Sequence, residues 1–485
     1  MTAPHVVART AALLAALGLG AGCTLAPDYQ KPEIAAPAQW QNQAENVWTA
    51  AQPADAQPRG RWWQHFNDAE LNALEEQLQR DSFDLQAAVA RYDAARARTL
   101  GARSGLWPTL GLDASVERKR DSENRPPNGS SRGSEPYTDA LLQAQLSYEI
   151  DLWGRLRDRA HAADYRETAA AADLTSARLS LESTLAQNYF QVRAYDTLIA
   201  LLSDTVDAYQ RALDFTQKRY EGGIARASDV DQARVQLSTT QTQLAEAQLQ
   251  RLQLQNAIAI LLGKMPQAFS LPQRRLDTDI PALPLTLPSQ LLERRPDIAG
   301  AERRMAAANA DIGVARGAWF PTFSISALGG YQSGSTSDWL LAPNELWAVG
   351  PTAALTLFDG GARRAQTDAA WAGYHEAVAL YRQTVINAYR EVEDNLAATR
   401  TLAAERTTQR DAAVAAIRAR QQAGLRYQGG IAIYLEVVTA QDKALIAQQS
   451  EVRIHLRQLQ TAVQLIMALG GDWRDERSSA AVMNY

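Results

Sequence analysis

The sequence is short of most of the residues that catalysis relies on. Its one cysteine, Cys23, cannot form an intramolecular disulfide. Its histidines, His5, His65, His161, His375 and His455, are scattered and show neither an HExxH helix nor any paired-ligand spacing. No glycine-rich nucleotide loop is present, and "FDGGARR" (Phe358 to Arg364) reads as a strand-to-helix junction rather than a phosphate cradle. Basic residues are not in excess: the formal net charge is −5, which argues against nucleic acid as a partner. Beyond the N-terminal leader no run of eighteen apolar residues occurs, so no transmembrane helix is expected. These absences point away from an enzyme and from any metal or cofactor.

What is present begins with "ARTAALLAALGLGAGC" (Ala8 to Cys23): one arginine, a short apolar stretch, then small residues. That is the layout of a secretory signal, too short to span a bilayer. A cysteine placed directly after the small residues resembles a bacterial lipoprotein processing site, where the thiol is acylated and becomes the mature N-terminus. Gly20 stands where such sites usually carry an aliphatic residue, with Leu19 one step further out. From Thr24 to Gly60 the chain is rich in Pro, Gln and Ala and is expected to lie extended along a surface.

The rest of the chain is two copies of one unit. "DLQAAVARYDAARARTLGARSGLWPTL" (Asp84 to Leu110) aligns with "DIAGAERRMAAANADIGVARGAWFPTF" (Asp297 to Phe323) at an offset of 213. "RYEGGIARASDV" (Arg219 to Val230) aligns with "RYQGGIAIYLEV" (Arg426 to Val437) at 207, so the first copy carries a longer loop in between. The expected partition is a signal peptide at 1–22, an extended lipid-anchored segment at 23–65 and a first repeat at 66–263. A proline-broken linker at 264–288, a second repeat at 289–470 and a tail at 471–485 follow.

Each copy shows the same order. A helical stretch (Asp68 to Leu106; Ser289 to Ala318) stops at Trp-Pro or Phe-Pro, because the residue before proline is pushed toward extended geometry. Two strands come next. Leu110, Leu112, Ala114 and Val116 alternate with Thr109, Asp113, Ser115 and Glu117, and Leu142 to Leu152 alternates in the same way. In the second copy Phe323, Ile325 and Ala327 alternate with serines and a threonine, then Val349, Ala353, Leu355 and Leu357 with Thr352 and Thr356. Alternation over about ten residues fits a transmembrane β-strand, and a soluble half-buried strand equally well. Very long helices (Arg155 to Tyr220; Ala362 to Tyr427), a Gly-Gly turn and a returning helix (Ser228 to Leu262; Leu435 to Leu469) complete each copy. At ~1.5 Å per residue such a long helix runs ~100 Å, far more than a compact domain needs. In the first, a heptad runs from Leu181 to Tyr220. Four strands are too few for a barrel, since the smallest closed membrane barrels have eight, and open edges are forbidden in lipid. Strands in a membrane therefore require several chains.

The block from Leu291 to Ala327, "LTLFDGG" (Leu355 to Gly361) and both "RY-x-GG-I-A" turns together resemble the TolC-like outer membrane factors, in the lipoprotein branch serving efflux systems. The resemblance runs from about Cys23 to Leu469. It implies a mixed α and β membrane protein: a homotrimer whose twelve strands form one outer membrane barrel and whose twelve helices form a periplasmic coiled-coil tube. It implies a passive exit duct working with a periplasmic adaptor and an inner-membrane pump of the resistance–nodulation–division type. A covalent lipid on Cys23 would be the only non-protein group, held in outer membrane lipid.

The resemblance also makes the repeated turn the tip of the tube. Gly222, Gly223 and Ile224, with Gly429, Gly430 and Ile431, become adaptor-docking turns. Asp229 and Glu436 become carboxylates at the entrance constriction, and Leu435 and Tyr434 its steric stoppers. Ala432 and Thr439 stand where some relatives carry an arginine and a second acid. Ser228 is expected to cap the returning helix with Asp231 as its capping-box partner. Trp62 and Trp63 are expected to anchor the N-terminal segment, and Trp339 and Trp347 to mark a membrane interface. Two other readings stay open: a duct for type I protein secretion, and a soluble periplasmic coiled-coil adaptor, which accounts for the helices but not for the strands.

Overall fold

The computed structural model describes residues 24–32, 40, 60–120, 136–281 and 295–471. Cys23, the leader at 1–22 and the tail from 472 lie outside these residues. The chain divides into two compact units, and the division cuts across the repeats. One comprises Met1–Glu33, Tyr92–Ala170 and Ala301–Tyr381, the other Ile34–Arg91, Ala171–Gly300 and Arg382–Tyr485.

The first unit holds the sheet. β1 (Thr109–Lys119), β2 (Tyr137–Ile150), β3 (Thr322–Ser333) and β4 (Glu345–Ala354) form an antiparallel meander in that order. The register aligns the predicted alternations across the whole sheet. Leu110 pairs with Leu146, Leu112 with Ala144 and Ala114 with Leu142; Leu146 pairs with Ala327 and Tyr148 with Ile325; Ala327 pairs with Val349 and Gly329 with Trp347. Directly paired residues share a face. One face is therefore apolar from β1 to β4, and the other carries Thr109, Asp113, Ser115, Gln143, Gln145, Ser147, Ser324, Ser326 and Thr352.

The apolar face is bare. Leu110 is 76% exposed, Trp347 73% and Val349 66%. Both sheet edges are open as well, since neither β1 nor β4 has a second strand partner among the described residues. β4 ends at Ala354, so Leu355 and Leu357 lie beyond it rather than in it. Their would-be partner, β3, starts only at Thr322, after Pro321, and offers nothing to pair with them. Trp339 folds back to donate its indole N–H to the Tyr331 carbonyl at 3.3 Å.

Helices flank the strands in both copies. α1 (Ala69–Asp81) and α2 (Phe83–Ser104) replace the single helical stretch expected from Asp68 to Leu106. The break is at Ser82, whose backbone is extended at ψ 122°. Its N–H bonds the Leu78 carbonyl while its own carbonyl accepts from Gln86, so one residue closes one helix and opens the next. The left-handed turn at Gly263 packs into the break, where a Cβ would stand 2.5 Å from the Asp81 carbonyl oxygen. α3 (Arg155–Glu221) and α6 (Ala362–Gln428) have 67 residues each, about 100 Å. α4 (Ala227–Leu261) and α7 (Tyr434–Ala468) return from them. α5 spans Pro296–Gly317, with proline at the first helical position, where its missing N–H costs nothing. Residues 289–294 of the expected helix lie outside the described set.

The second unit is knit by an apolar core and a charged knot. Trp62 and Trp63 are both 1% exposed and pack with Phe66, Leu71 and Leu78 against Leu185, Tyr189 and Phe190 of α3. Of the heptad from Leu181 to Tyr220, only Tyr220 is exposed. Asp68 caps α1 by accepting from the Glu70 and Leu71 N–H groups at 3.1 and 3.2 Å. Arg193, fully buried, donates to Glu70 at 2.6 Å, Asp196 at 2.8 Å and the Pro272 carbonyl at 2.6 Å. Arg251 bonds Asp196 and the Leu271 carbonyl. Every charge here has a partner, as burial demands, and the knot ties the proline-rich linker to α1, α3 and α4.

Glu75 is the exception. It is fully buried, and neither carboxyl oxygen has a hydrogen-bond partner among the described residues. The adjacent Glu182 accepts instead from Trp62 (3.1 Å), Gln79 (2.9 Å) and Arg178 (2.9 Å). Burial, and then the Glu182 charge, hold the Glu75 carboxyl well above its ordinary value of 4.5. The native state keeps the proton while the unfolded chain releases it. Stability from this site is thus complete below the ordinary value and is lost as pH rises toward the raised one, by about 1.4 kcal/mol per pH unit. Glu75→Gln removes the penalty, so its thermal midpoint should exceed the unaltered protein's at pH 7 to 8 and converge with it near pH 4. Melts of the purified protein across that range check the sign.

Candidate functional site

The repeated turn has one backbone solution in both copies. Arg219, Tyr220 and Glu221 end α3, and Gly223 follows at φ 73°. Its N–H bonds the Tyr220 carbonyl at 2.9 Å, and the Ile224 N–H bonds the Arg219 carbonyl at 2.8 Å. In the second copy Gly430 has φ 74°, with Gly430 to Tyr427 at 3.1 Å and Ile431 to Arg426 at 2.9 Å. These paired bonds are a Schellman C-cap, which wants a left-handed residue just past the helix and takes glycine cheaply. Only the second glycine of each pair is so constrained. Gly222 and Gly429 have no positive φ, and a Cβ on either would meet nothing closer than 3.4 Å. Beyond the glycines Ile224, Ile431 and Ile433 are 70%, 74% and 69% exposed, an apolar knob on each turn.

The returning helices start one residue earlier than expected, and this changes the caps. Arg226, not Ser228, is the N-cap of α4, and Ser228 lies within its first turn. Asp229, not Asp231, is the third helical residue, and its Oδ2 accepts from the Arg226 N–H at 3.3 Å. An arginine side chain has no acceptor to return the bond, so only half of a capping box forms. Glu436 occupies the same step of α7, but accepts from Arg426 Nη1 at 2.5 Å. Two carboxylates matched in sequence thus have different local partners: a helix N-terminus for Asp229, an arginine for Glu436.

Tyr434, expected beside Leu435 as a stopper, faces inward. It is 3% exposed and sits edge-on to Tyr427 at 5.2 Å, with Ala233 and Val437 completing the cluster. Burial, then Tyr427, push its hydroxyl up to about 12. Leu435 is the outward residue, 52% exposed. The position matching Tyr434 in the first copy is Ala227, and the Tyr220 ring that would pack on it is 46% exposed where Tyr427 is 7%.

A tie between the two hairpins went unread in the sequence. Arg219 donates to the Tyr427 carbonyl at 3.3 Å, and its guanidinium lies over the Tyr427 ring at 5.0 Å and the Phe215 ring at 5.7 Å. Further along, Gln236 of α4 bonds Asp442 of α7, and Gln449 bonds Gln243 at 3.2 Å. The signal was available: the "RY" before each Gly-Gly is part of the repeated motif, and the second copy spends its arginine on Glu436 instead.

Among the described residues no group of His, Cys, Asp and Glu is placed to hold a metal ion, and no helix is long and apolar enough to cross a membrane. The arrangement consists of paired helical hairpins with exposed apolar turns and two acids per chain, together with a sheet that is apolar on one face and open at both edges. The family profile described as outer membrane efflux protein matches it twice, at residues 74–264 and 287–471, once in each repeat. The toluene efflux pump outer membrane protein TtgC of Pseudomonas putida is 32% identical over 460 residues, covering 95% of this chain and 94% of that protein. The outer-membrane channel OprN superposes with a TM-score of 0.84 at 29% identity, over 93% of this chain and 100% of that one. The CmeC outer membrane channel of Campylobacter jejuni shares the fold, with a TM-score of 0.86 at 24% identity over 95% and 98% of the two chains. The matches take in both repeats and nearly the whole length, and the chain belongs to the outer membrane efflux protein family.

Proposed function

We propose that this outer membrane efflux protein is a lipid-anchored, trimeric exit duct that passes small organic toxicants outward, loaded by an inner-membrane pump through a periplasmic adaptor. One observation carries the reading: the register gathers the apolar residues of four strands onto one bare face while both edges stay unpaired. Lipid covers such a face, and edge-to-edge joining of several copies satisfies the open backbone groups. Three chains supply twelve strands. Substrate class rests on the relatives, among them proteins named for toluene and solvent efflux. No built small-molecule site is needed, because the pump selects the cargo. Deleting the gene, or that of its pump, should sensitise cells to the same compounds. An unchanged resistance profile with loss of a secreted protein favours the type I secretion duct instead.

Cys23 is the proposed anchor. Replacing it (Cys23→Ser) should abolish incorporation of radioactive palmitate.

At the tip, Ile224, Ile431 and the glycines before them form the proposed adaptor-docking surface. Gly222 and Gly429 are demanded by neither dihedral nor space within the chain, and their lack of a side chain would let a partner approach the turn closely. The double variant Gly222→Leu, Gly429→Leu should therefore assemble normally and still lose most of its drug resistance in cells. A resistance profile equal to the unaltered protein's sinks the docking role.

Asp229 and Glu436 are the proposed entrance charges, six per trimer, with Leu435 as the steric stopper and Arg219 as the tie between hairpins. A ring of carboxylates favours cations, most strongly at low salt. Neutralising both (Asp229→Asn, Glu436→Gln) should leave the trimer intact and reduce the cation preference of single channels in planar bilayers. Leu435→Ala should instead raise conductance. Unaltered ion selectivity in the double variant removes both acids from the constriction.

A further inference from the structure

The two strand hairpins are paired alike. Thr109 faces Ser147 in the first and Thr322 faces Ala354 in the second, so β1 maps onto β3 at an offset of 213 and β2 onto β4 at 207. The long helices that follow, starting at Arg155 and Ala362, keep the offset of 207. A third ladder joins the two copies: β2 pairs with β3 from Ala140 opposite Ser333 to Ile150 opposite Phe323. Among the described residues it is the one junction between the repeats in the sheet. Its counterpart would join β4 to β1, and those are the two open edges. Within one chain they lie three strand spacings apart, ~14 Å along the sheet, and cannot meet.

The internal junction supports residues that its own hairpin does not. The ladder between β1 and β2 stops at Ser147, and Tyr148, Glu149 and Ile150 are held by β3 alone, opposite Ile325, Ser324 and Phe323. The residues matching these three in the second copy are Leu355, Thr356 and Leu357. They repeat the apolar–polar–apolar order, yet β4 stops at Ala354. The positions matching Phe323, Ser324 and Ile325 are Leu110, Gly111 and Leu112, on the open edge of β1. Leu112 and Leu357 are 72% and 87% exposed. The aromatics next to them follow the same rule. Phe320 stacks on Trp153 at 4.7 Å inside the chain, whereas Trp107, which matches Phe320, and Phe358 stand bare.

We propose that β4 is completed by a second copy of this chain: Leu355–Leu357 become strand against the neighbour's β1, in the register that β2 and β3 already use. Applying 207 and 213 to the internal ladder sets Leu357 opposite Leu110, Leu355 opposite Leu112, Ala353 opposite Ala114 and Pro351 opposite Val116. On the polar face Thr352 meets Ser115 and Thr356 meets Gly111. The faces check the register, since a slip of one residue would set apolar against polar throughout. A slip of two keeps the faces but fails at the end of the ladder. In one direction Leu357 meets Pro108, which has no N–H to give. In the other Leu110 meets Asp359, which is already spent on the Gly361 and Arg363 N–H groups at the start of α6. That copies join edge to edge rests on the duct reading above; the register and the three added strand residues go beyond it.

Cysteine pairs read the register in the purified protein under mild oxidation. The β1 and β4 strands of one chain are too far apart for a disulfide, so a bond between them joins two chains. Ser115→Cys with Thr352→Cys, and Gly111→Cys with Thr356→Cys, should each turn most of the chains into covalent trimers on a non-reducing gel. Gly111 has room for the change, because a Cβ there meets nothing closer than 4.0 Å. The slipped pairs, Ser115→Cys with Gly350→Cys or with Ala354→Cys, should give little. Single variants, which retain Cys23, reveal any bond to that residue. In the unaltered trimer the amides of residues 355–357 should exchange at least ~10-fold more slowly than in an unstructured peptide. That measurement needs no substitution, so it stands even where a cysteine pair fails to assemble. Efficient cross-linking of a slipped pair overturns the register and keeps the shared barrel. Unprotected amides at 355–357 overturn the completed strand. Assembled variants that form no bond in any register overturn edge-to-edge joining, and the duct reading with it.

Discussion

Backbone amides and carbonyls along the two outer strands of the four-stranded sheet have no strand to bond to among the described residues of one chain, and hydrocarbon supplies no substitute. Much of the rest follows from that constraint. Because the register puts Leu110, Leu146, Ala327 and Val349 on one face, the face cannot be wetted, and because β1 and β4 stay open, the sheet cannot close alone. Association is thus a condition of satisfying the backbone. Duplication gives each chain two hairpins of strands, a third of the twelve, and symmetry supplies the remainder.

The two halves have diverged where it matters most. Both keep the Schellman turn, since backbone geometry allows little else after a helix that must reverse. Around it the side chains part company. Arg219 reaches across to the second hairpin while Arg426 stays on Glu436, and Ala227 stands where Tyr434 fills a core. A trimer of such chains has six turns of one backbone form but only threefold chemical equivalence. Its two kinds of turn offer a partner different surfaces: the exposed Tyr220 ring beside one, the enclosed Tyr427–Tyr434 pair beneath the other.

Much of the fold was legible because its signals are long and periodic. The ends of the long helices fall within one residue of those read from the sequence, and the alternation identifies the apolar face of the first three strands, and of the fourth as far as Ala353, before any register is known. Short-range features were less legible. The break at Ser82 is invisible to periodicity, because its cause is a backbone conformation held by distant Gly263. The helix start at Ala227 displaced the expected cap from Ser228 to Arg226, since a good capping residue nearby does not oblige the chain to use it. The resemblance makes both Leu435 and Tyr434 stoppers, yet one step along a helix turns a side chain by about 100°, and Leu435 points outward while Tyr434 points into the core. Glu75 and Asp158 gave no local sign at all. Their burial is a property of what packs on them.

Residues 24–27 are held by Asp158, Asn309 and Arg316, and this has a consequence for timing. Asp158 belongs to the first repeat, but α5, with Asn309 and Arg316, belongs to the second. Synthesis delivers residue 24 first and residues 302–316 nearly three hundred positions later. The earliest described part of the chain is therefore the last to find its place, and it finds it only once these parts of both repeats have come together. Its seating reports that the start of α3 and the end of α5, one from each repeat, have met.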